Sequence, residues 1–416
     1  MDGKVDKEKV PRQGKNESGL LLEIVIPFLF AGCGLSLAGL VLNHVQHWPV
    51  FQHYPDFFVL VPTLLGLKGN LEMTLASRLC SIAGLGHLDH PTRGRQTLLS
   101  NLALVQFQGI VVGGIASLIP ISIRLLWHHD LTLSRIILVS SSSIVTASIA
   151  SFLLGVIMIA VIEGSRKKGL NPDNIATPIA ASLGDVLTLI ILSYTASGFM
   201  ALLQSFPIAL GLINLFYLVI LPYLFIQITK CEDALAVFYS GWTPVLIAML
   251  ISSLGGKVLN LSIKRYPHIA SYQPLINGVA GNLVAVQASR ISSWLHAFSN
   301  LGHDPKDMDD HESDKIEADH GRTARILLSL VVPGHVAFIL LGAILQGRWE
   351  LDWSFIGYFL LASLLQVSML LYVAEKLTLW LWKMRIDPDN ASIPYLTALG
   401  DLLGGIFLTV ASHLNE

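Results

Sequence analysis

Stretches of about twenty apolar residues recur along almost the whole chain, and no other feature limits the fold as strongly. A run of that length, coiled as a helix, crosses a hydrocarbon core about 30 Å thick. Eleven such runs lie near 20–42, 57–85, 97–126, 133–162, 175–204, 206–228, 234–260, 267–295, 323–346, 354–382 and 391–414. They are continuous rather than alternating, which excludes a porin-type barrel. Only 13% of the 416 residues are charged, about half the usual ~25% of a soluble domain. A soluble enzyme, a nucleic-acid binder and a disordered chain are therefore excluded. The formal net charge of -2 implies no polybasic or polyacidic partner. Cys33, Cys80 and Cys231 are too few and too scattered for a disulfide framework or a soft-metal cluster. The expectation is an all-α integral membrane protein with about eleven transmembrane helices.

Orientation follows from Lys and Arg. With the N-terminus inside, cytoplasmic segments hold seventeen basic residues and the opposite side six, the remaining four lying within spans. The tail carries Lys4, Lys7, Lys9, Arg12 and Lys15, and the first apolar run is too long for a cleaved signal core of 7–15 residues. The loops are short except 296–322, which is rich in Asp and Glu between Asp304 and Asp319. A solvated linker is the simplest reading of that stretch, with weak magnesium sensing as a rival.

The chain also repeats itself. Asn171-Pro-Asp-Asn174, Pro178 and Gly184-Asp185 return 216 positions later as Asp387-Pro-Asp-Asn390, Pro394 and Gly400-Asp401. Pro62, Gly66, Gly69-Asn70 and Ala76-Ser77-Arg78 return 212 positions later as Pro274, Gly278, Gly281-Asn282 and Ala288-Ser289-Arg290. Two motifs in the same order at nearly one offset indicate duplication. The expected organisation is a cytosolic tail (1–19), a first five-helix repeat (20–204), a connecting transmembrane helix (205–229) and a second five-helix repeat (230–416) that includes the acidic linker 296–322. Five spans is an odd number, so the added helix restores parallel orientation. The halves are then related by an axis along the membrane normal.

Asp185 and Asp401 each fall about two turns into an expected span. An ionised carboxylate there costs at least ~2.5–3.5 kcal/mol on insertion scales, so it needs a cation, a partner or water. Pro178 and Asp185 share a helix face, as do Pro394 and Asp401. Asn174 and Asn390 suit helix N-caps. Asp173 and Asp389 suit the positive end of the helix dipole. Gly184 and Gly400 allow close helix approach. A two-fold axis brings both carboxylates to the central seam, where oxygen ligands suit a hard divalent cation. No Cys or His accompanies either aspartate, which disfavours zinc and copper. Two carboxylates and water fit Mg2+ better than Ca2+, which takes 6–8 oxygen ligands. The bland alternatives are a structural polar pair for the aspartates, interhelical hydrogen bonds for Asn70 and Asn282, and an ion pair for Lys68 and Glu72.

On these residues the chain resembles the MgtE-type magnesium transporters, most of all their eukaryotic duplicated branch, solute carrier family 41. The resemblance rests on Val61 to Asn70 and Asn171 to Asp185 with their second copies, and covers nearly everything after residue 20. It implies a bundle of paired five-helix units, here fused, so that one chain suffices as a pseudo-dimer in the lipid bilayer. It implies a magnesium site on Asp185 and Asp401, and pore positions for Gly69, Asn70, Gly281 and Asn282. Only about nineteen residues precede the bundle, so the cytoplasmic magnesium-sensing region of bacterial members is not expected. The family's Gln after the Gly-Asn pair is approximated by Gln287, whereas the first half has Leu75. Lys68 and Glu72 occur only in the first half, where the second has Ala280 and Val284, so the pore is expected to be asymmetric.

Transport of divalent cations, chiefly Mg2+, is the reading, with no catalytic residue and no cofactor beyond the transported ion. A channel-like pore and sodium-coupled exchange, with Na+ as the coupling ion, are both open. The plasma membrane is the first choice of location and an organelle such as the mitochondrial inner membrane the second. Two rivals are weaker. An intramembrane aspartyl protease needs Gly-x-Gly-Asp, but the chain has Ser182-Leu-Gly-Asp185 and Ala398-Leu-Gly-Asp401. A non-transporting receptor gives the buried aspartates no purpose.

Overall fold

In lipid, each backbone N–H and C=O must be satisfied within its own segment, and a helix does this for any apolar sequence. The computed structural model describes residues 17–84, 91–127, 131–167, 173–240, 242–298, 310–347 and 351–416. Among these, thirteen helices occur in the order α1 (Glu17–Val45), α2 (Pro49–His53), α3 (Asp56–Gly84), α4 (Pro91–Trp127), α5 (Leu133–Lys167), α6 (Asp173–Ser205), α7 (Pro207–Ile228), α8 (Glu232–Ser240), α9 (Trp242–Ile263), α10 (Ile269–Phe298), α11 (Asp310–Gln346), α12 (Trp353–Lys383) and α13 (Pro388–Leu414). The short α2 and α8 set aside, eleven remain, and they fall on the eleven apolar runs. Nine are both long and apolar enough to cross a membrane among the described residues. The other two, α3 and α10, carry the Gly-Asn motifs, and Asp56–Gly66 at the start of α3 is a shorter apolar stretch.

The boundaries differ from hydropathy in three places. The run expected over 234–260 divides into α8 and α9, with Pro244 two residues into α9. Helix α4 starts at Pro91, ahead of the apolar run, with proline in the first turn where its missing N–H costs nothing. Helix α11 starts at Asp310, so part of the segment expected as an acidic linker has helical backbone; its side chains up to Asp319 lie outside the described residues.

The packing is crossed. Within each half, the first long helix packs on the fifth: α1 on α6, and α9 on α13. Each also packs on the second helix of the other half: α1 on α10, and α9 on α3. Two glycines permit the crossings. A Cβ on Gly39 would strike the Ser271 carbonyl, and one on Gly256 would strike the Val59 carbonyl. Val59 and Ser271 are 212 positions apart, the same spacing as the repeated motif of these helices, so the two contacts are equivalent. Small residues at such crossings let backbones approach where lipid supplies no hydrophobic drive between helices.

Helix α7 is peripheral and touches α4, α5 and α6. Only Leu210 and Ile228 on it are buried, while Ile208, Leu212, Phe216 and Val219 are exposed, as suits a lipid-facing helix. Polar anchors tie it to α5: Ser141 Oγ donates to the Leu210 carbonyl at 3.2 Å, and Asn214 Nδ2 to Ser140 Oγ at 3.2 Å.

At the end of the bundle where α3 begins, Asp56 is buried and accepts from Arg135 Nη1 at 2.7 Å, with Arg124 Nη1 at 3.9 Å. A cavity of about 300 Å³ lies beside it, lined by His53, Arg124, Asn260 and Lys264 among others. Asn260, which opens an Asn-Leu-Ser sequon, lies inside α9 with its Oδ1 buried.

Candidate cation site between the two halves

Asp185 on α6 and Asp401 on α13 line a single cavity of about 80 Å³ where α1, α3, α6, α10 and α13 meet. Both are half-buried, and both stand beside a buried glycine, Gly184 or Gly400. From α3 the wall takes Pro62, Leu65 and Gly66; from α10 it takes Gln273, Pro274, Asn277, Gly278, Gly281 and Asn282; Leu35 and Thr397 complete it. Residues 216 positions apart thus share one small chamber, as the repeat requires.

Asp401 is held in place. Ser252 Oγ on α9 donates to its Oδ2 at 2.7 Å, and Asn277 Nδ2 on α10 donates to its Oδ1 at 3.1 Å. Such bonds to a charged acceptor are shorter and about twice as strong as neutral ones. Gly66 admits the carboxylate from the other half: a Cβ there would stand 2.9 Å from Asp401 Oδ2 and 3.1 Å from Ser252 Oγ. Next to Asp401 in the chain, the Gly400 carbonyl accepts from Gln366 Nε2 at 2.9 Å.

Of the other expected positions, Asn282 is half-buried on the cavity wall, Gly281 stands beside Thr397, and Pro394 is buried in α13 one turn ahead of Thr397 and Ala398. Gly69 and Asn70 have helical backbone in α3, Asp173 and Pro178 in α6, and Asp389 in α13, but their side chains lie outside the described residues. The same holds for Lys68 and Glu72. Asn174 and Asn390, expected as caps, fall in the first turns of α6 and α13. Sequence reading missed Ser252, Gln273, Asn277 and Gln366. The first three gave no signal because their counterparts in the first half are apolar, and the search was for residues that recur.

A helical bundle with two carboxylates in a small polar chamber at its centre is built to handle a cation, and the chain belongs to the MgtE family of divalent cation transporters, whose family model matches residues 61–195 and 273–411. The two segments begin 212 positions apart. Within that family it stands in the solute carrier family 41 branch. It is 44% identical over 411 residues to solute carrier family 41 member 2 of Xenopus laevis, covering 97% of this chain and 73% of that one. It is 43% identical to the Homo sapiens member 2, covering 98% and 72%, and 41% identical to member 3 of Mus musculus, covering 99% and 86%. No solved structure matches. The chain is thus a multi-pass membrane transporter of divalent cations and not an enzyme.

Proposed function

We propose that the chain moves Mg2+ through the chamber between its halves, with Asp185 and Asp401 as its binding carboxylates. The observation that carries this reading is that the two aspartates, remote in sequence, line one cavity. Magnesium is held by one or two carboxylates while keeping several waters. Each water needs roughly 10–15 Å³ of such space, so a cavity of about 80 Å³ accommodates an ion with part of its shell. Two carboxylates sharing one small chamber repel, and a divalent ion between them relieves the repulsion. Among the described residues no His or Cys lines the chamber, which favours a hard, oxygen-seeking ion over zinc or copper.

The pseudo-two-fold bundle makes one chain sufficient, since it supplies both halves of the chamber. The plasma membrane is the proposed location. Magnesium flux into proteoliposomes tests the function, measured with and without a sodium gradient. Flux that follows the Mg2+ gradient alone supports a channel-like pore; dependence on Na+ supports the exchange alternative. Asp185→Asn and Asp401→Asn each remove one charge with little change of shape, and each is expected to raise the KM for Mg2+ in correctly inserted protein. Wild-type KM and rate in both variants would remove the site assignment.

A further inference from the structure

The two glycine crossings pair positions 217 apart, Gly39 on α1 with Gly256 on α9. Asn43, Gln46 and His47 therefore correspond to Asn260, Ile263 and Lys264. At the α1–α10 crossing, Gln46 is buried and bridges the end of α1 to the start of α10. Its Nε2 donates to Asn43 Oδ1 at 2.8 Å and to the Pro267 carbonyl at 3.2 Å. At the α9–α3 crossing the corresponding side chain is Ile263, which has no donor, and the cavity of about 300 Å³ stands there. Asn260 and Pro55, the counterparts of Asn43 and Pro267, are both in its wall. That volume is at the lower end of ligand pockets, about 300–1,000 Å³. Arg124 of α4 and Lys264, one residue past α9, also line it. Asp56 is the one acid in the wall among the described residues, and Arg135 already holds it at 2.7 Å. Asn260 keeps its Oδ1 buried, so its amide offers N–H groups. Two cationic side chains and an amide donor beside a neutralised acid suit an oxyanion, and guanidinium and ammonium groups are common phosphate binders. The donors come from both halves, Arg124 from the first and Asn260 with Lys264 from the second.

We propose that this cavity binds a phosphate-type oxyanion, either free phosphate or the phosphate of a lipid headgroup, between Lys264, Arg124 and Asn260. The bound anion joins α4 of the first half to α9 of the second, at a place whose counterpart is tied by the Gln46 side chain. The site is separate from the aspartate chamber, so its failure leaves the transport reading as it stands.

The test is thermal unfolding of the whole detergent-solubilised chain, without Mg2+ and at constant ionic strength. Inorganic phosphate is titrated against chloride in one arm, and phosphatidylglycerol against a galactolipid in the other. A ligand that binds only the folded state raises the melting temperature with its concentration. A rise with inorganic phosphate identifies a free anion, and a rise with phosphatidylglycerol alone identifies a headgroup. No rise in either arm overturns the proposal. Lys264→Gln is expected to raise the apparent Kd roughly fivefold, the share of one partly solvated charge contact. Lys264 is exposed, so this variant keeps the fold, and a wild-type Kd in it overturns the proposal. Ile263→Gln supplies the donor that the counterpart position already has, within reach of Asn260 and the Pro55 carbonyl. It is expected to fill the cavity and abolish the rise; a rise of wild-type size there also overturns the proposal.

Discussion

At the scale of single residues, an added methyl group is most costly where two backbones touch. Gly256→Ala places a carbon against the Val59 carbonyl and forces α9 away from α3. Overpacking of this kind costs about 1–3 kcal/mol, and the detergent-solubilised variant should melt at a lower temperature. Gly211→Ala on α7 meets nothing within 4 Å and should not. Asp352 caps α12, accepting from the Phe355 N–H at 3.1 Å and from Asn415 Nδ2 at 2.8 Å. Its carboxyl is held below the ordinary range, chiefly by the Phe355 N–H and then by Asn415. A depressed carboxylate stabilises fully above its unfolded pKa, and the contribution fades as pH falls through the folded value. Asp352→Ala should therefore lower the melting temperature at pH 7 and make less difference in acid below the ordinary carboxylate range. Asp185 and Asp401 were legible because a repeat marks them twice. Gln273, Asn277 and Ser252 were not, because duplication preserved their places and not their chemistry.

At the scale of elements, hydropathy found the long helices but not their ends. A helix closes its hydrogen bonds in water as well as in lipid, so α11 continues back to Asp310 and α4 to Pro91 beyond the apolar boundary. The break between α8 and α9 had a signal in Gly241 and Pro244, which an apolar window averages away. The entry of α3 has its own requirement. Asp56 is buried in the first turn, where the helix dipole favours it and Arg135 neutralises it. Arg135 also lies 4.9 Å from the centre of the Tyr54 ring. Asp56→Asn should cost about 3 kcal/mol, the low end for breaking a buried pair, because both guanidiniums keep some solvent. Thermal unfolding of the variant against wild type checks it, and Arg135→Gln in the same background should restore part of the loss.

At the scale of the whole molecule, the repeat made equivalent contacts in the two halves an expectation, whereas the crossing of α1 onto α10 and α9 onto α3 was not readable. The crossing depends on which glycine meets which carbonyl, and pattern spacing carries no record of that. With α7 between the halves, α9 enters the bilayer in the direction of α1. The distribution of basic residues predicts the N-terminus in the cytoplasm and the C-terminus outside. Tags at the two ends should be protected and accessible, respectively, in intact cells; both on one side would refute the count of eleven spans.

The crossing also constrains the order in which the protein can be made. The face of α1 that fits α10 is finished more than two hundred residues before α10 leaves the ribosome. Until then the Gly39 surface of the first half lacks its partner and the cavity shared with α10 and α13 is incomplete. Neither half can complete itself by waiting, because each needs the other's second helix. The chain therefore closes only when α10 and α13 have been inserted, and a stop within the second half would leave an unsealed bundle for membrane quality control to remove.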